Sequence, residues 1–180
     1  MSVKAPAMTE APPWTHPIAW SVTGTAERQI QLVADADVRA RVARFLELEG
    51  VGRLEATLNA RAWRDGMELD GRFVGLVTRL CGVSLETLEE AIDAPLRVRL
   101  VPSGSPHAPK EQAGEVVIDL EAEDPPDVVE GGLVDVGAYV VEALALALDP
   151  FPRKPGAVFE APAQSEPPSP FAVLRNLPSK

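Results

Sequence analysis

Leu54-Glu-Ala-Thr-Leu-Asn-Ala-Arg-Ala-Trp-Arg-Asp-Gly-Met-Glu-Leu-Asp-Gly-Arg-Phe-Val-Gly-Leu-Val-Thr-Arg-Leu-Cys81 is the stretch that decides the fold. From Leu54 the apolar period is two. Leu54, Ala56, Leu58, Ala60 and Ala62 point one way, and Glu55, Thr57, Asn59 and Arg61 the other, as side chains of a half-buried strand do. Asp65-Gly66 is a hairpin signal, because both residue types tolerate the backbone of a tight turn. The return strand, Met67 to Cys81, alternates again around Leu69, Gly71, Phe73, Gly75 and Val77. A long antiparallel hairpin is therefore the centre of the molecule.

Working outward, Pro95 to Val101 reads as a further strand, with Leu96, Val98 and Leu100 alternating with Arg97 and Arg99. Between the two, Ser84 to Ile92 fits either a strand or a short helix. Upstream, Ile18 to Val22 alternates as a short first strand. Asp35 or Asp37 then caps a helix bearing Val38, Val42, Phe45 and Leu46 on one side, with Gly50 and Gly52 as its stop. Downstream, five prolines in residues 102–132, and eight acids without a base from Glu111 to Glu130, mark that stretch as an irregular acidic insertion. Within it Val116 to Leu120 has the composition of an edge strand. Asp135 caps a second helix, Val136 to Leu148, which ends at Asp149-Pro150. That helix has almost no polar face, so cover on most of its sides is expected.

The expected architecture is α+β: an antiparallel β meander or partly closed barrel with two main helices, spanning residues 17–150 as one domain. Residues 1–16 read as a disordered lead. Residues 151–180 read as an extended, Pro-rich, basic and disordered tail, since eight of the 18 prolines lie in the final 31 residues.

Charge is unevenly spread. Of a formal net charge of −10, residues 1–63 contribute 0, residues 64–101 −2, residues 102–149 −10 and residues 150–180 +2. A surface of this sign repels polyanions at long range. Tight nucleic-acid binding by the whole surface is thereby disfavoured, which leaves a local basic patch or a basic protein partner. One cysteine, Cys81, excludes an internal disulfide and a Cys-rich zinc site, and it fits a reducing cytoplasm. The most apolar run, Val136 to Leu148, is interrupted by Glu142 and falls short of the roughly 20 residues of a membrane span. No membrane role is expected.

Residues in a setting suited to catalysis are few. His16 and His107 sit in Pro-rich segments, poor settings for a base that must be held within reach of its target. Cys81 ends a strand with no His near it in sequence, and Arg79 shares its strand face, so it reads as a half-buried structural thiol. Asp119, Glu121, Glu123, Asp124 and Asp127 supply oxygen ligands but lack the ordered spacing and turn glycine of a calcium loop, so no metal and no cofactor are assigned. Arg39, Arg41, Arg44 and Arg61 are candidate phosphate contacts. Five acids match the five bases in residues 35–63, however, and a salt-bridged surface is the default there.

The distinctive stretch is Glu142-Ala-Leu-Ala-Leu-Ala-Leu-Asp-Pro-Phe-Pro-Arg-Lys-Pro-Gly156: an oily helix that runs straight into a stiff, basic, proline-rich segment carrying Phe151. Phe171-Ala-Val-Leu-Arg-Asn-Leu177 follows as a short amphipathic piece of the kind that orders on binding. An alternative for both aromatic residues is that they staple the tail onto its own domain. The run Leu144 to Ala157, the closing Ser169 to Leu177 and the Cys81-Gly-Val-Ser-Leu-Glu86 segment resemble the YceD family, the large ribosomal RNA subunit accumulation proteins. The resemblance spans Ile18 to Leu177. Where that family often continues with Pro after the Leu-Glu pair, this chain has Thr87.

The resemblance implies a role in synthesis, processing or stability of 23S ribosomal RNA, and it brings no catalytic residues with it. The leading expectation is a non-catalytic, cytoplasmic ribosome-biogenesis factor that binds large-subunit rRNA or a basic ribosomal protein. Residues 111–130 would shield or attract the protein partner. The partner-binding candidates are Asp149, Pro150, Phe151, Pro152, Arg153, Lys154, Pro155, Gly156, Phe171 and Arg175. Two alternatives stand beside it. One is a magnesium-dependent RNA-processing enzyme, which needs at least two of Asp119, Glu121, Asp124 and Asp149 in one pocket. The other is an oligomeric adaptor using helix 136–148 as its interface. The oligomeric state is left open by the sequence.

Overall fold

The computed structural model describes residues 12–20, 27–109 and 124–159. Its centre is the expected hairpin. Strand β3 (Gly50–Trp63) pairs antiparallel with β4 (Gly66–Leu80), and the register Trp63↔Gly66 leaves Arg64 and Asp65 as the turn. Arg64, with φ 54°, takes the left-handed position rather than Gly66. Gly66 serves close packing instead: a Cβ there would collide with the Leu100 carbonyl oxygen of the next strand.

That next strand, β5 (Thr87–Pro102), is one continuous element of 16 residues paired along β4 from Met67↔Leu100 to Leu80↔Thr87. Of the stretch 84–92 that fitted strand or helix, Thr87 to Ile92 is therefore strand, continuous with the one expected at 95–101, while Ser84 to Glu86 belong to the turn before it. Pro95 does not break it, because β4 holds β5 on one side and the missing N–H falls on the other.

Strand β2 (Arg28–Val33), absent from the expected elements, pairs antiparallel with β3. Its Ile30 and Leu32 are buried while Gln29 and Gln31 are exposed. Helix α1 (Ala36–Phe45) bridges β2 to β3. The Asp35 carboxylate accepts the Val38 N–H at 2.8 Å, which settles the cap in favour of Asp35 over Asp37. The helix stops at Leu46 and Glu47, the latter at φ 54°. Gly50 and Gly52, expected as its stop, begin β3.

The five-stranded sheet has the order β2-β3-β4-β5-β6, where β6 (Asp127–Val129) runs parallel to β5 from Leu100 to Pro102. Residues 102–132 are thus not irregular throughout, and the described edge strand is 127–129. The expected one at 116–120 lies outside the described residues. The sheet does not close into a barrel: β2 and β6 are its two ends.

Strand β1 (Pro17–Ala19) falls where a strand over Ile18–Val22 was expected, Ser21 and Val22 lying outside the described residues, and pairs with β7 (Leu133–Asp135) as a separate two-stranded sheet. It sits beside helix α2 (Val136–Ala147). Asp135 caps α2 as expected, accepting N–H groups from Gly137 at 3.1 Å and Ala138 at 3.3 Å. Residues 12–16, read as part of a disordered lead, are instead packed. Trp14 is buried in the core, His16 N–H donates to Asp135 at 2.7 Å, and Arg41 Nε donates to the Pro13 carbonyl at 3.0 Å. Gly137 permits this, since a Cβ there would lie 2.7 Å from the Trp14 carbonyl oxygen.

The core forms between the inner sheet face and α2. Ile30, Leu32, Leu54, Leu58, Leu69, Phe73, Leu96 and Leu100 meet Val136, Val140, Val141 and Leu144. Among the described residues only one side of α2 is covered. Glu142, Ala145 and Leu146 face solvent, with Leu146 81% exposed, so the nearly uniform apolarity of this helix exceeds what its own sheet buries.

Candidate functional site

The outer sheet face carries charge in register. Trp63↔Gly66 sets Arg61 opposite Glu68, and Glu68 opposite Arg99 on β5. Glu68 is 2% exposed, the one buried charged side chain among the described residues. Arg61 reaches it at 2.6 Å, Arg97 at 2.7 Å and Arg99 at 3.5 Å. Burial works against its ionisation, but the hydrogen bonds from Arg97 and Arg61 prevail and hold its pKa below the ordinary carboxylate value. Arg64 and Arg99 lie 4.4 and 5.2 Å from the centre of the Trp63 ring. Arg61, a phosphate candidate in the sequence, is thus committed to a carboxylate. Arg39 donates to the Ala34 carbonyl at 2.8 Å, and Arg41 is held by Pro13. Arg44 lies in the last turn of α1.

The second feature joins two stretches more than sixty positions apart. β4 ends at Leu80, and Cys81 to Glu86 turn the chain into β5, with Cys81 N–H donating to the Glu86 carbonyl at 2.8 Å. After α2, the carboxylate of Asp149 accepts the Phe151 N–H at 2.8 Å, which starts the extended segment. That segment lies against the turn. Gly82 N–H donates to the Pro152 carbonyl at 2.9 Å, Lys154 N–H donates to Cys81 Sγ at 3.3 Å, and Lys154 Nζ meets Glu86 at 3.0 Å. Gly156, at φ 79°, then turns the chain, with Ala157 N–H donating to the Lys154 carbonyl.

Cys81 is the pivot of this junction. Its side chain is fully buried, not half-buried as expected, and the Val83 and Ser84 N–H groups also donate to Sγ, each at 3.4 Å. The Lys154 N–H, followed by Ser84 and Val83, favours the thiolate and lowers the pKa to about 6. Arg79, which shares the strand face of Cys81, is instead paired with Glu90 at 2.9 Å.

Of the residues singled out in the sequence, Asp149 to Gly156 are brought onto the Cys81–Glu86 turn. Pro152 and Lys154 make the contacts, while Phe151, 74% exposed, and Arg153 face outward. Leu85 beside them is 73% exposed. Phe171 and Arg175 lie outside the described residues, as do Asp119, Glu121 and Glu123. Asp124 and Asp127 line a cleft with Arg97 and Arg99, whereas Asp149 lines another with Leu88, Glu89, Glu90 and Arg153. These clefts meet β5 about 30 Å apart along the strand. Asp124 and Asp149 therefore share no pocket. Among the described residues no group of three His, Cys, Asp or Glu side chains is placed to hold a metal ion. Nor is any described helix long and apolar enough to cross a membrane.

Sequence reasoning missed Glu68 as a hub and Cys81 as an anchor. The first was recoverable, because a two-residue turn at 64–65 sets Glu68 opposite Arg61. The second had no local signal, since its partner is a backbone amide at position 154. Compared with known proteins, the chain matches no family model, no curated protein and no solved structure.

Proposed function

We propose that this chain is a non-catalytic ribosome-biogenesis factor of the YceD type, acting in the cytoplasm. In this reading it supports synthesis, processing or stability of 23S rRNA by binding rRNA or a ribosomal protein. One observation carries the reading: Cys81–Glu86 and Asp149–Gly156, two stretches on which the family resemblance rests, meet in a hydrogen-bonded junction. Motifs far apart in a chain that build one surface have a common task there. The chemistry of that surface is that of a docking element. Backbone hydrogen bonds fix an extended proline-rich segment, so Phe151 and Arg153 are displayed with little ordering entropy left to lose on binding.

Depletion of the protein tests this directly. Mature large-subunit rRNA should fall relative to small-subunit rRNA and recover when the intact chain is restored. A chain carrying Phe151→Ala and Arg153→Ala, both exposed and so without cost to the fold, should restore it poorly. Normal large-subunit rRNA after depletion would overturn the proposal.

A further inference from the structure

Among the described residues, strand β5 has one side paired and the other largely open. β4 pairs with it from Thr87 to Leu100, but on its far side β6 covers only Leu100 to Pro102 among the described residues. Ser103 N–H donates to the Val129 carbonyl of β6, so the odd-numbered amides of β5 face away from β4, and Pro95, opposite Arg72, is one of those positions. The residues sharing that orientation, two apart, are Ala91, Asp93 and Arg97.

Beside this edge, between β5 and α2, runs a cleft of about 360 Å³ with Phe73, Leu96, Val98, Ala143 and Leu146 in its walls. Leu146 on its rim is the most exposed large apolar side chain described. An open strand edge with an apolar groove alongside is the geometry by which an extended peptide adds to a sheet: main-chain hydrogen bonds hold it, and every second side chain enters the groove.

Charge selects the occupant. This cleft and the one at the start of β5 are lined by Asp127, Glu142, Glu89, Glu90 and Asp149, against Arg97 and Arg153, with Arg79 held by Glu90. Five carboxylates thus line the two clefts against two guanidiniums, with Arg79 offsetting Glu90 from outside them, on a chain already at −10. An RNA strand would be repelled here, and a second copy of this acidic chain would bring like charge to like.

We propose that the open edge of β5 and its cleft bind an extended, positively charged segment of another protein by strand addition. The proposal rests on the protein acting through binding, and it names the class of partner. At its Leu88–Glu90 end the edge adjoins the segment that displays Phe151 and Arg153.

The test uses the full chain and three probes: a short peptide of alternating lysine and valine, the same pattern with glutamate for lysine, and single-stranded oligouridine. The lysine peptide should bind and slow amide exchange at Ala91, Asp93 and Arg97. Leu146→Lys, at a site exposed enough to leave the fold intact, should weaken it about tenfold or more. Ala91→Pro should do the same by deleting an edge donor while sparing the β4 ladder, and circular dichroism checks that it folds. Binding of oligouridine or of the glutamate peptide at the same amides overturns the proposal. So does β5 protection that appears with rising protein concentration alone, or lysine-peptide binding indifferent to both substitutions. Peptide binding with normal rRNA after depletion would remove the functional proposal and leave this one; lost rRNA without peptide binding would do the reverse.

Discussion

Replacing Glu68 by Gln tests the electrostatic centre of the sheet. The change keeps the shape of the side chain but removes the charge on which Arg61, Arg97 and Arg99 converge. Two hydrogen bonds between opposite charges, at 2.7 and 2.8 Å, cannot both survive, because an amide keeps one acceptor oxygen and turns an NH2 donor toward the other guanidinium. Breaking a buried pair costs about 3–5 kcal/mol when both partners are desolvated. Here the guanidiniums of Arg61 and Arg97 are half exposed and water recovers part of the loss, which brings the expected cost to about 2 kcal/mol. For a chain of this length that lowers Tm by roughly 4–8 °C.

The effect has a pH signature. The folded carboxyl titrates below its unfolded value, so its stabilisation is fully present above the unfolded pKa and is lost as pH falls through the folded one. Thermal unfolding of both proteins across acidic to neutral pH should show a constant gap near neutrality that closes in acid. An unchanged Tm at neutral pH, or a gap that persists in acid, would refute the account of Glu68 as a charged hub.

Three further outcomes follow from the packing. The single thiol, followed by thiolate absorbance in a pH titration, should ionise near pH 6, and unfolding should restore a midpoint near the ordinary cysteine value; since the folded pKa is the lower, the junction's contribution is complete above the unfolded value and disappears as pH falls through about 6. A native midpoint at the ordinary value would show that the Lys154 segment does not dock on Sγ. Leu144→Ala, fully buried against Gly75, should cost about 3 kcal/mol in urea unfolding, and a loss under about 1 kcal/mol would mean that α2 is not seated on the sheet. Gly66→Ala should destabilise by about 2 kcal/mol through collision with the Leu100 backbone, whereas a neutral effect would show that Gly66 serves only the turn.

Alternation over Leu54–Cys81, the turn at 64–66 and the caps at Asp35 and Asp135 are local signals. A strand with one buried face, and a helix whose first amides need an acceptor, write their requirements into neighbouring residues. The long hairpin, both helices and the α+β class were legible for that reason. Arg28–Val33 carried the same alternation, but only Ile30 and Leu32 mark it between polar residues, too short a run to stand out. The site was legible in part: Asp149–Gly156 was marked by composition, but its seat on the Cys81–Glu86 turn was not.

By itself, then, the amino-acid sequence determined which segments bury a face and where they start and stop, since those demands act over a few residues. Tertiary structure alone decided that the sheet stays open, that β5 keeps a largely unpaired edge among the described residues, that Trp14 folds back onto Gly137, and that a backbone amide at Lys154 donates to Cys81 Sγ and favours its thiolate. Each of these depends on groups that every residue carries, the N–H, the carbonyl and the space left by a missing Cβ. Side-chain patterns do not reveal where such groups meet, and folding in three dimensions does.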